Sequence, residues 1–235
     1  MKKVKDIIVF EGMQGCGKTT IANKETLKKQ LLSNDYYKDH HNVINLRCPG
    51  DGIAEVRNLI RTSESELDNY TYMCLSLADM NELVKKSIQP LLNEGNIIIL
   101  DRCFHSTFVY QDFTIYNRTS AEIISEHVMN IFGHDLLDRM ITFILDVPYE
   151  IYKTRRNYLN DMSDTFEKKF EKDEGYGEKF FNEKRKKYLN FALCPYRTAK
   201  MILQDVFILN GTIDINYNIA NVMMYLNIIN DVRRS

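Results

Sequence analysis

The glycine-rich loop at residues 12–19 constrains the fold of this chain more than any other feature. Residues 4–20 read VKDIIVFEGMQGCGKTT, so the apolar run 7–10 leads directly into Gly12, four residues, Gly17, Lys18 and Thr19. The spacing G-x-x-x-x-G-K-[ST], with a strand before it and a helix after it, is that of a phosphate-binding loop. Glycines let backbone N–H groups curl around phosphate oxygens, where a Cβ would block the approach. The loop predicts binding of a nucleoside triphosphate with Mg²⁺.

Length and composition narrow the function classes. The 235 residues, 44% hydrophobic and 27% charged, suit one α/β domain and leave little room for a second. The net charge of −1 provides no basic field for nucleic acid or an anionic membrane, and no apolar stretch approaches the length of a membrane span. The five cysteines form no C-x-x-C pair and no zinc pattern, which indicates reduced thiols in a cytoplasmic protein. We therefore expect small-molecule partners, with no nucleic acid and no membrane.

Short apolar runs alternate with longer helical patterns along the chain. The runs at 7–10, 97–100 and 141–145 are almost continuously apolar, which is typical of parallel strands covered on both faces. The alternation predicts a doubly wound α/β fold around a five-stranded parallel sheet, with ligands at the carboxyl ends of the strands. The predicted strands are 6–11, 42–47, 96–101, 140–147 and 206–210, and the predicted helices are 18–32, 66–93, 120–132, 149–159, 178–203 and 217–232.

Two predicted strand ends carry residues that suit phosphate chemistry. The second strand ends in RCPGDG, residues 47–52, where a tight Pro-Gly turn presents the Arg47 guanidinium at the sheet edge. The third strand ends in Asp101-Arg102. There an acid can orient Mg²⁺ and a guanidinium can fork onto a phosphate, although a surface ion pair is the alternative. The polar and aromatic run 105–111 that follows could border a bound base or sugar. We interpret His105 as an ordinary polar residue.

The segment 166–187 is the most charged part of the chain and surrounds Gly175 and Gly177. It is either a solvated helical face or a flap whose cations close over phosphates. The phosphate-binding loop elsewhere in the chain gives the flap interpretation its weight.

The sequence offers no convincing general base to activate a hydroxyl acceptor. A phosphate acceptor needs none, because its second pKa is about 6 and it is largely ionised at neutral pH. Two polyanions must then meet, so the protein must supply positive charge and in-line positioning. Lys18, Arg47, Arg102 and cations of the charged segment suit that task.

Taken together and in this order, these motifs resemble those of the thymidylate kinase family of nucleoside monophosphate kinases. Its successive segments are similar to FEGMQGCGKTT, RCPGDG, DRCFHSTFVYQ, ITFILDVPYEIYKTRRN, FFNEKRKKYLNFA and ILNGT, which span nearly the whole chain. The resemblance implies an adenylate-kinase-like fold, ATP as donor, Mg²⁺, a homodimer, and transfer to the 5′-phosphate of a deoxynucleotide. It also implies one domain over 1–235 with a lid over 156–178, and a cis peptide before Pro49.

The resemblance also assigns roles by position. It implies that Thr107 contacts the base and that Tyr110 lies under the deoxyribose, where it crowds a 2′-hydroxyl. The implied catalytic residues are Lys18, Asp101, Arg102, Arg155 and Arg156. The implied ATP-binding residues are Gln14, Gly15, Cys16, Gly17, Lys18, Thr19 and Thr20, and the implied Mg²⁺ ligands are Thr19 and Asp101. The implied acceptor-binding residues are Gln14, Arg47, Pro49, Ser76, Met80, Arg102, Thr107, Tyr110 and Gln111.

Some positions differ from the family pattern. Gln14 replaces an acidic residue near the acceptor's sugar, although its amide oxygen can still accept a hydrogen bond. Gly15 leaves the loop without an arginine, so the lid should supply one, as in the bacterial subgroup. The usual Asp-Arg pair of the lid is Asp164-Thr165 here. The cations that could substitute are Arg156, Lys168 and Lys169.

The acceptor base is left open by the sequence. The base-contacting phenylalanine and arginine of the family correspond to Ser76 and Met80, and Tyr70 or Tyr72 on the same predicted helix could stack on the base instead. The expected acceptor is dTMP, dUMP or a 5-modified dUMP, in the cytoplasm or, for a viral protein, in the host cytoplasm. One alternative is a deoxynucleoside kinase, against which the DRC tripeptide 101–103 argues because an ERS-like motif is expected there. The other is a nucleotide-binding module that has lost catalysis.

Overall fold

The computed structural model describes residues 4–62, 67–157, 174–193 and 205–234, apart from the side chains of 60–62, 156–157 and 174–176. Within these residues, five parallel strands form one sheet in the order β2-β3-β1-β6-β7, and β4 pairs with β5 in a small antiparallel hairpin. The strands are β1 (Ile7–Glu11), β2 (Val43–Arg47), β3 (Ile97–Asp101), β4 (Thr114–Ile115), β5 (Arg118–Thr119), β6 (Met140–Asp146) and β7 (Val206–Asn210).

Helices flank the sheet, as the predicted α/β fold requires. A π-helical turn, Val84–Ile88, continues α4 into α5. The helices are α1 (Lys18–Ala22), α2 (Glu25–Leu32), α3 (Ala54–Thr62), α4 (Asn69–Leu83), α5 (Gln89–Asn93), α6 (Phe104–Tyr110), α7 (Ser120–Arg139), α8 (Tyr149–Asn157), α9 (Glu174–Leu193) and α10 (Ile215–Arg234).

The three inner strands carry the core. Every residue of β1 is buried, as are 97–100 of β3 and 140–145 of β6, which confirms that the apolar runs are covered on both faces. Parallel pairing aligns their carboxyl ends, because Asp101 is the register partner of both Phe10 and Arg47. The residues that follow β1, β2 and β3 are therefore brought to one edge of the sheet.

Most element predictions are confirmed, with differences at the ends and in short elements. The predicted helix 18–32 is broken after Ala22, and the predicted helix 120–132 continues to Arg139 through a kink at Gly133, whose φ is 62°. The helix predicted at 178–203 begins at Glu174, and residues 194–203 lie outside the described part of the chain. Three elements were not predicted, α3, α6 and the hairpin β4–β5, because each is short.

The amino-terminal end of the sheet is closed by buried polar contacts. The Tyr37 hydroxyl donates to the Lys5 carbonyl at 2.6 Å and accepts from Asn230 Nδ2 at 3.2 Å. Arg139 Nε donates to Asp6 Oδ1 at 2.8 Å. These contacts lie at the end of the sheet opposite the phosphate-binding loop. None of the helices in the described ranges is both long enough and apolar enough to cross a bilayer.

Candidate active site

The loop between β1 and α1 has the conformation that its glycines predict. Gly12, Gly15 and Gly17 have φ angles of 132°, 70° and 104°, a region that favours glycine. A Cβ added to Gly12 would lie 2.4 Å from the Leu145 carbonyl oxygen of β6. The backbone can therefore close up against the sheet and leave its N–H groups for a phosphate.

Lys18 lies inside this loop and is 5% exposed. Its Nζ donates to the Met13 carbonyl at 2.7 Å and lies 3.6 Å from Cys16 Sγ. Burial lowers the pKa of the Lys18 ammonium, and the nearby Arg102 guanidinium lowers it further. An anionic phosphate in the loop would compensate both effects.

Thr19 and Asp101 meet as the Mg²⁺ assignment implies. The Thr19 hydroxyl donates to Asp101 Oδ2 at 2.6 Å, which joins the start of α1 to the end of β3. In the described ranges, no three His, Cys, Asp or Glu side chains converge on a metal-sized space. Two hard oxygen donors beside a phosphate loop suit Mg²⁺, which usually takes its remaining ligands from water and substrate phosphates.

Two guanidiniums lie next to the loop, one on each side of the turn that follows β2. Arg47 Nε lies 3.6 Å from Asp101 Oδ2, and the peptide bond between Cys48 and Pro49 is cis, as the resemblance implies. Arg57, on the unpredicted helix α3, donates from NH1 to the Pro49 carbonyl at 3.5 Å. Arg57 was assigned no role, because the segment from RCPGDG to Arg57 is shorter than in the family pattern and leaves its alignment open.

Asp79 of α4 holds this turn and was also missed. Its Oδ2 accepts from the Gly50 N–H at 2.9 Å and its Oδ1 from the Ile53 N–H at 2.6 Å. Burial raises the pKa of Asp79, and these backbone N–H groups act against that rise. A Cβ added to Gly52 would lie 1.9 Å from the Asp79 carbonyl oxygen, so the turn packs directly on the helix. In the sequence, the signal that could have identified Asp79 is a lone carboxylate on a largely apolar face of the predicted helix.

Arg102 follows β3 in a left-handed conformation, with φ 73°. Its NH1 donates to the Gly12 carbonyl at 3.2 Å, to Ser106 Oγ at 3.0 Å and to the Tyr188 hydroxyl at 3.1 Å. The guanidinium is thereby tied to the phosphate loop, to α6 and to α9 at once.

Glu11, the last residue of β1, anchors the start of α6. Its Oε1 accepts from the N–H groups of Cys103 and Ser106 at 2.7 and 3.2 Å, and its Oε2 accepts from Ser106 Oγ at 2.9 Å. Burial raises the pKa of Glu11, while Arg102, 4.0 Å away, opposes that rise. His105 is fully buried against Phe104, and burial lowers its pKa to about 3, which fits our interpretation of His105 as a residue without a catalytic role.

Arg155 of α8 reaches the loop from the other side. Its NH1 lies 3.3 Å from the carbonyl oxygens of Gly15 and Cys16, and its NH2 donates to the Gly211 carbonyl at 2.7 Å. The predicted lid cations Lys168 and Lys169, the pair Asp164-Thr165 and the Arg156 side chain lie outside the described part of the chain.

These groups surround a cavity of about 910 Å³ at the carboxyl ends of the strands. It is lined by predicted site residues from four separate segments and by residues that follow β7. The predicted residues in its lining are Gln14, Gly15, Cys16, Gly17, Lys18, Thr19, Thr20, Arg47, Pro49, Asp101, Arg102 and Arg155. The predicted residues Ser76, Met80, Thr107, Tyr110 and Gln111 are not in its lining.

The residues assigned to the base and sugar of the acceptor belong to α4 and to α6 or the position after it, and none is in the lining of this cavity. Met80 belongs to the hydrophobic core with 1% exposure, and Ser76 and Thr107 are also buried. The Tyr110 hydroxyl lies 3.7 Å from Met13 Sδ. Gln111 is buried, and its Oε1 has no hydrogen-bond partner among the described residues. Their role at a base therefore stays a prediction.

Comparisons with known proteins add a family match. The family model described as thymidylate kinase matches residues 10–202. A thymidylate kinase of Buchnera aphidicola subsp. Baizongia pistaciae is 35% identical over 190 residues, covering 78% of this chain and 80% of that protein. One of Chlorobium limicola is 32% identical over 187 residues, with the same coverage of 78% and 80%. The crystal structure of thymidylate kinase from Ehrlichia chaffeensis has a TM-score of 0.62 at 23% identity, covers 95% of this chain and 99% of that one, and supports the fold.

Proposed function

Because this chain belongs to the thymidylate kinase family, it is a nucleoside monophosphate kinase, and we propose that it transfers the γ-phosphoryl group of ATP to a deoxypyrimidine monophosphate. The proposed acceptor is dTMP, dUMP or a 5-modified dUMP. The family also leads us to propose that residues 1–235 act as one catalytic domain and that the enzyme is a homodimer.

The observation that carries this proposal is the arrangement of cations around one cavity. Lys18 lies in the loop that would hold the donor phosphates. Arg47 is the last residue of β2, Arg102 follows β3, and both line the same space. Two phosphate groups repel each other strongly when they approach in line, so a kinase for phosphate acceptors must surround both with positive charge. Lys18 would meet that requirement at the donor phosphates, and Arg47 and Arg102 would meet it at the acceptor phosphate.

The chemistry needs positioning more than proton transfer. An ionised oxygen of the acceptor phosphate forms a bond to the γ-phosphorus as the bond to the β–γ bridging oxygen breaks, and ADP leaves. The acceptor is already ionised at neutral pH, so no side chain has to remove a proton. Lys18 stabilises charge on the transferring group, while Arg47 and Arg102 hold the acceptor oxygens in line.

The fit of Thr19 and Asp101 to Mg²⁺ supports a metal-dependent reaction. Their oxygens are 2.6 Å apart at the mouth of the loop, and Arg47 lies 3.6 Å from the same carboxylate oxygen. The ion would neutralise phosphate charge there. Asp101 would then have two roles, holding the ion and orienting Arg47.

Gln14 supports a sugar-binding role on the acceptor side. It lines the cavity, and its Oε1 is buried without a hydrogen-bond partner among the described residues. A buried acceptor atom in this state favours a ligand donor, such as a sugar hydroxyl.

The test is a panel of monophosphates assayed by ATP-dependent release of ADP. We expect turnover with dTMP, dUMP or a 5-substituted dUMP, and little with purine monophosphates. Absence of turnover with every deoxypyrimidine monophosphate contradicts the proposal, and turnover of thymidine but not dTMP would establish the nucleoside kinase instead.

The Lys18→Met variant tests the donor side of the site. We expect kcat to fall by about a hundredfold or more, because a buried cation at the transferring phosphate is lost. Lys24→Met replaces an exposed lysine just after α1 and is the matched control, for which we expect wild-type rates. Wild-type turnover in Lys18→Met would place the transferred phosphate elsewhere.

A further inference from the structure

We propose that the Tyr188 hydroxyl of α9 is a positioning group for Arg102, which rests on the proposed assignment of Arg102 to the acceptor phosphate. Tyr188 is 1% exposed, and its hydroxyl oxygen accepts from Arg102 NH1 at 3.1 Å. Tyr188 lies in the segment FFNEKRKKYLNFA of the resemblance, which assigned it no role. Its chemistry follows from the contacts around the hydroxyl.

The hydroxyl belongs to a hydrogen-bond chain that runs in one direction. A guanidinium only donates and a carboxylate only accepts, so the ends of the chain are fixed. Arg102 donates to Tyr188, Tyr188 donates to Ser106 Oγ at 2.9 Å, and Ser106 donates to the Glu11 carboxylate at 2.9 Å. Every hydroxyl hydrogen therefore has an acceptor, and the chain ends on a buried acid.

The chain matters because Arg102 is held in an unusual backbone conformation. A non-glycine residue in the left-handed region is strained by about 1–2 kcal/mol, so its neighbours must hold it there. Forked recognition of a phosphate depends on the plane of the guanidinium. Contacts from NH1 to Tyr188, Ser106 and the Gly12 carbonyl fix that plane relative to the phosphate loop.

Helix α9 is itself anchored near this point. Arg185 pairs with Asp146 at the end of β6 through two hydrogen bonds, Nε to Oδ1 at 2.5 Å and NH2 to Oδ2 at 2.7 Å. Tyr188 follows one turn later, and its ring meets the edge of Tyr110, with centroids 6.3 Å apart. The hydroxyl is therefore presented to Arg102 from a fixed helix.

Tyr188→Phe is the direct test, because it keeps the ring and removes only the hydroxyl. With dTMP as acceptor, we expect the KM for dTMP to rise about tenfold, which is the effect of losing one hydrogen bond to a charged group. The KM for ATP should stay within about twofold, because ATP is assigned to the opposite side of the cavity.

Tyr37→Phe is the matched control. Tyr37 is also fully buried and its hydroxyl also makes two hydrogen bonds, at the other end of the sheet. Both variants should lower the melting temperature by similar amounts, yet only Tyr188→Phe should raise the KM for dTMP. An equal rise in both variants would show a general loss of stability and overturn the inference.

Arg102→Ala separates this inference from the proposed function. We expect it to raise the KM for dTMP more than Tyr188→Phe does and to lower kcat. If Arg102→Ala moves only the ATP KM, the acceptor assignment fails and the inference with it. If Arg102→Ala behaves as expected and Tyr188→Phe matches the wild type, only the role of Tyr188 is overturned.

Discussion

At the scale of single residues, two buried acids organise the candidate site without lining its cavity. Glu11 accepts backbone N–H groups at the start of α6, and Asp79 accepts those of the turn that follows β2. A buried carboxylate is costly unless its oxygens are satisfied, and here the backbone satisfies them. Each acid thereby holds a segment that borders an arginine proposed for the acceptor side, Arg102 or Arg47.

Asp79→Asn tests this role. The substitution keeps the shape of the side chain but points an NH2 group at one of the two backbone donors. We expect a loss of about 1–3 kcal/mol in the free energy of unfolding, because a buried donor is left unpaired. The KM for the acceptor should rise with it, since the turn contains Pro49 and directly follows Arg47, and both line the cavity.

Urea denaturation and steady-state kinetics check both effects. Glu126→Gln is the control, because Glu126 forms an exposed ion pair with Arg118, and such pairs contribute little to stability. A turn that tolerates Asp79→Asn with unchanged kinetics would show that packing holds it without the carboxylate.

At the scale of elements, the phosphate-binding loop between β1 and α1 packs directly against the neighbouring strand β6. The Leu145 carbonyl of β6 leaves no room for a Cβ at Gly12. The loop motif was evident in the sequence, whereas the contact with β6 depends on sheet order. The tight curve of the loop is thus a property of two elements.

Gly12→Ala is expected to lower both activity and stability, because the Cβ would meet backbone rather than a flexible side chain. Gly133→Ala is the control, since Gly133 also has positive φ but nothing within 4 Å of an added Cβ. It should lower stability by about 1–3 kcal/mol through backbone strain alone and leave turnover unchanged. Thermal melts and initial rates decide the matter, and equal losses of turnover in the two variants would contradict the steric role of β6.

At the scale of the whole molecule, the sheet separates an apolar core from a polar edge, and His105 lies on the core side. It is fully buried, and burial lowers its pKa to about 3, against about 6.5 in an unfolded chain. Between these values the unfolded state binds the extra proton. Stability should therefore fall as pH drops below about 6.5, by up to about 1.4 kcal/mol per pH unit.

His105→Gln should flatten this slope in urea titrations between about pH 4 and pH 7, where the unfolded histidine takes up a proton and the folded one stays neutral. Burial raises the pKa of Glu11, 3.8 Å away, which acts in the opposite direction in both proteins, so the difference between them isolates His105. His127→Gln removes an exposed histidine and should leave the slope as it is. A wild-type slope in His105→Gln would contradict the assignment.

The sequence by itself determined the five strands of the parallel sheet and the phosphate-binding loop, because these depend on local composition and on motif spacing. It nominated Thr19 and Asp101 as Mg²⁺ ligands, but their contact joins residues 82 positions apart and depends on the sheet. Only the tertiary structure decided that Asp79 holds the turn after β2, that Tyr188 reaches Arg102 and that Met80 lies in the core. The contacts of Asp79 and Tyr188 join residues 26 to 86 positions apart. The burial of Met80 depends on how the helices pack on the sheet. Local sequence patterns specify a helix or strand and the functional residues of its motif. The position of a side chain that acts through a distant neighbour is determined only when the elements pack together.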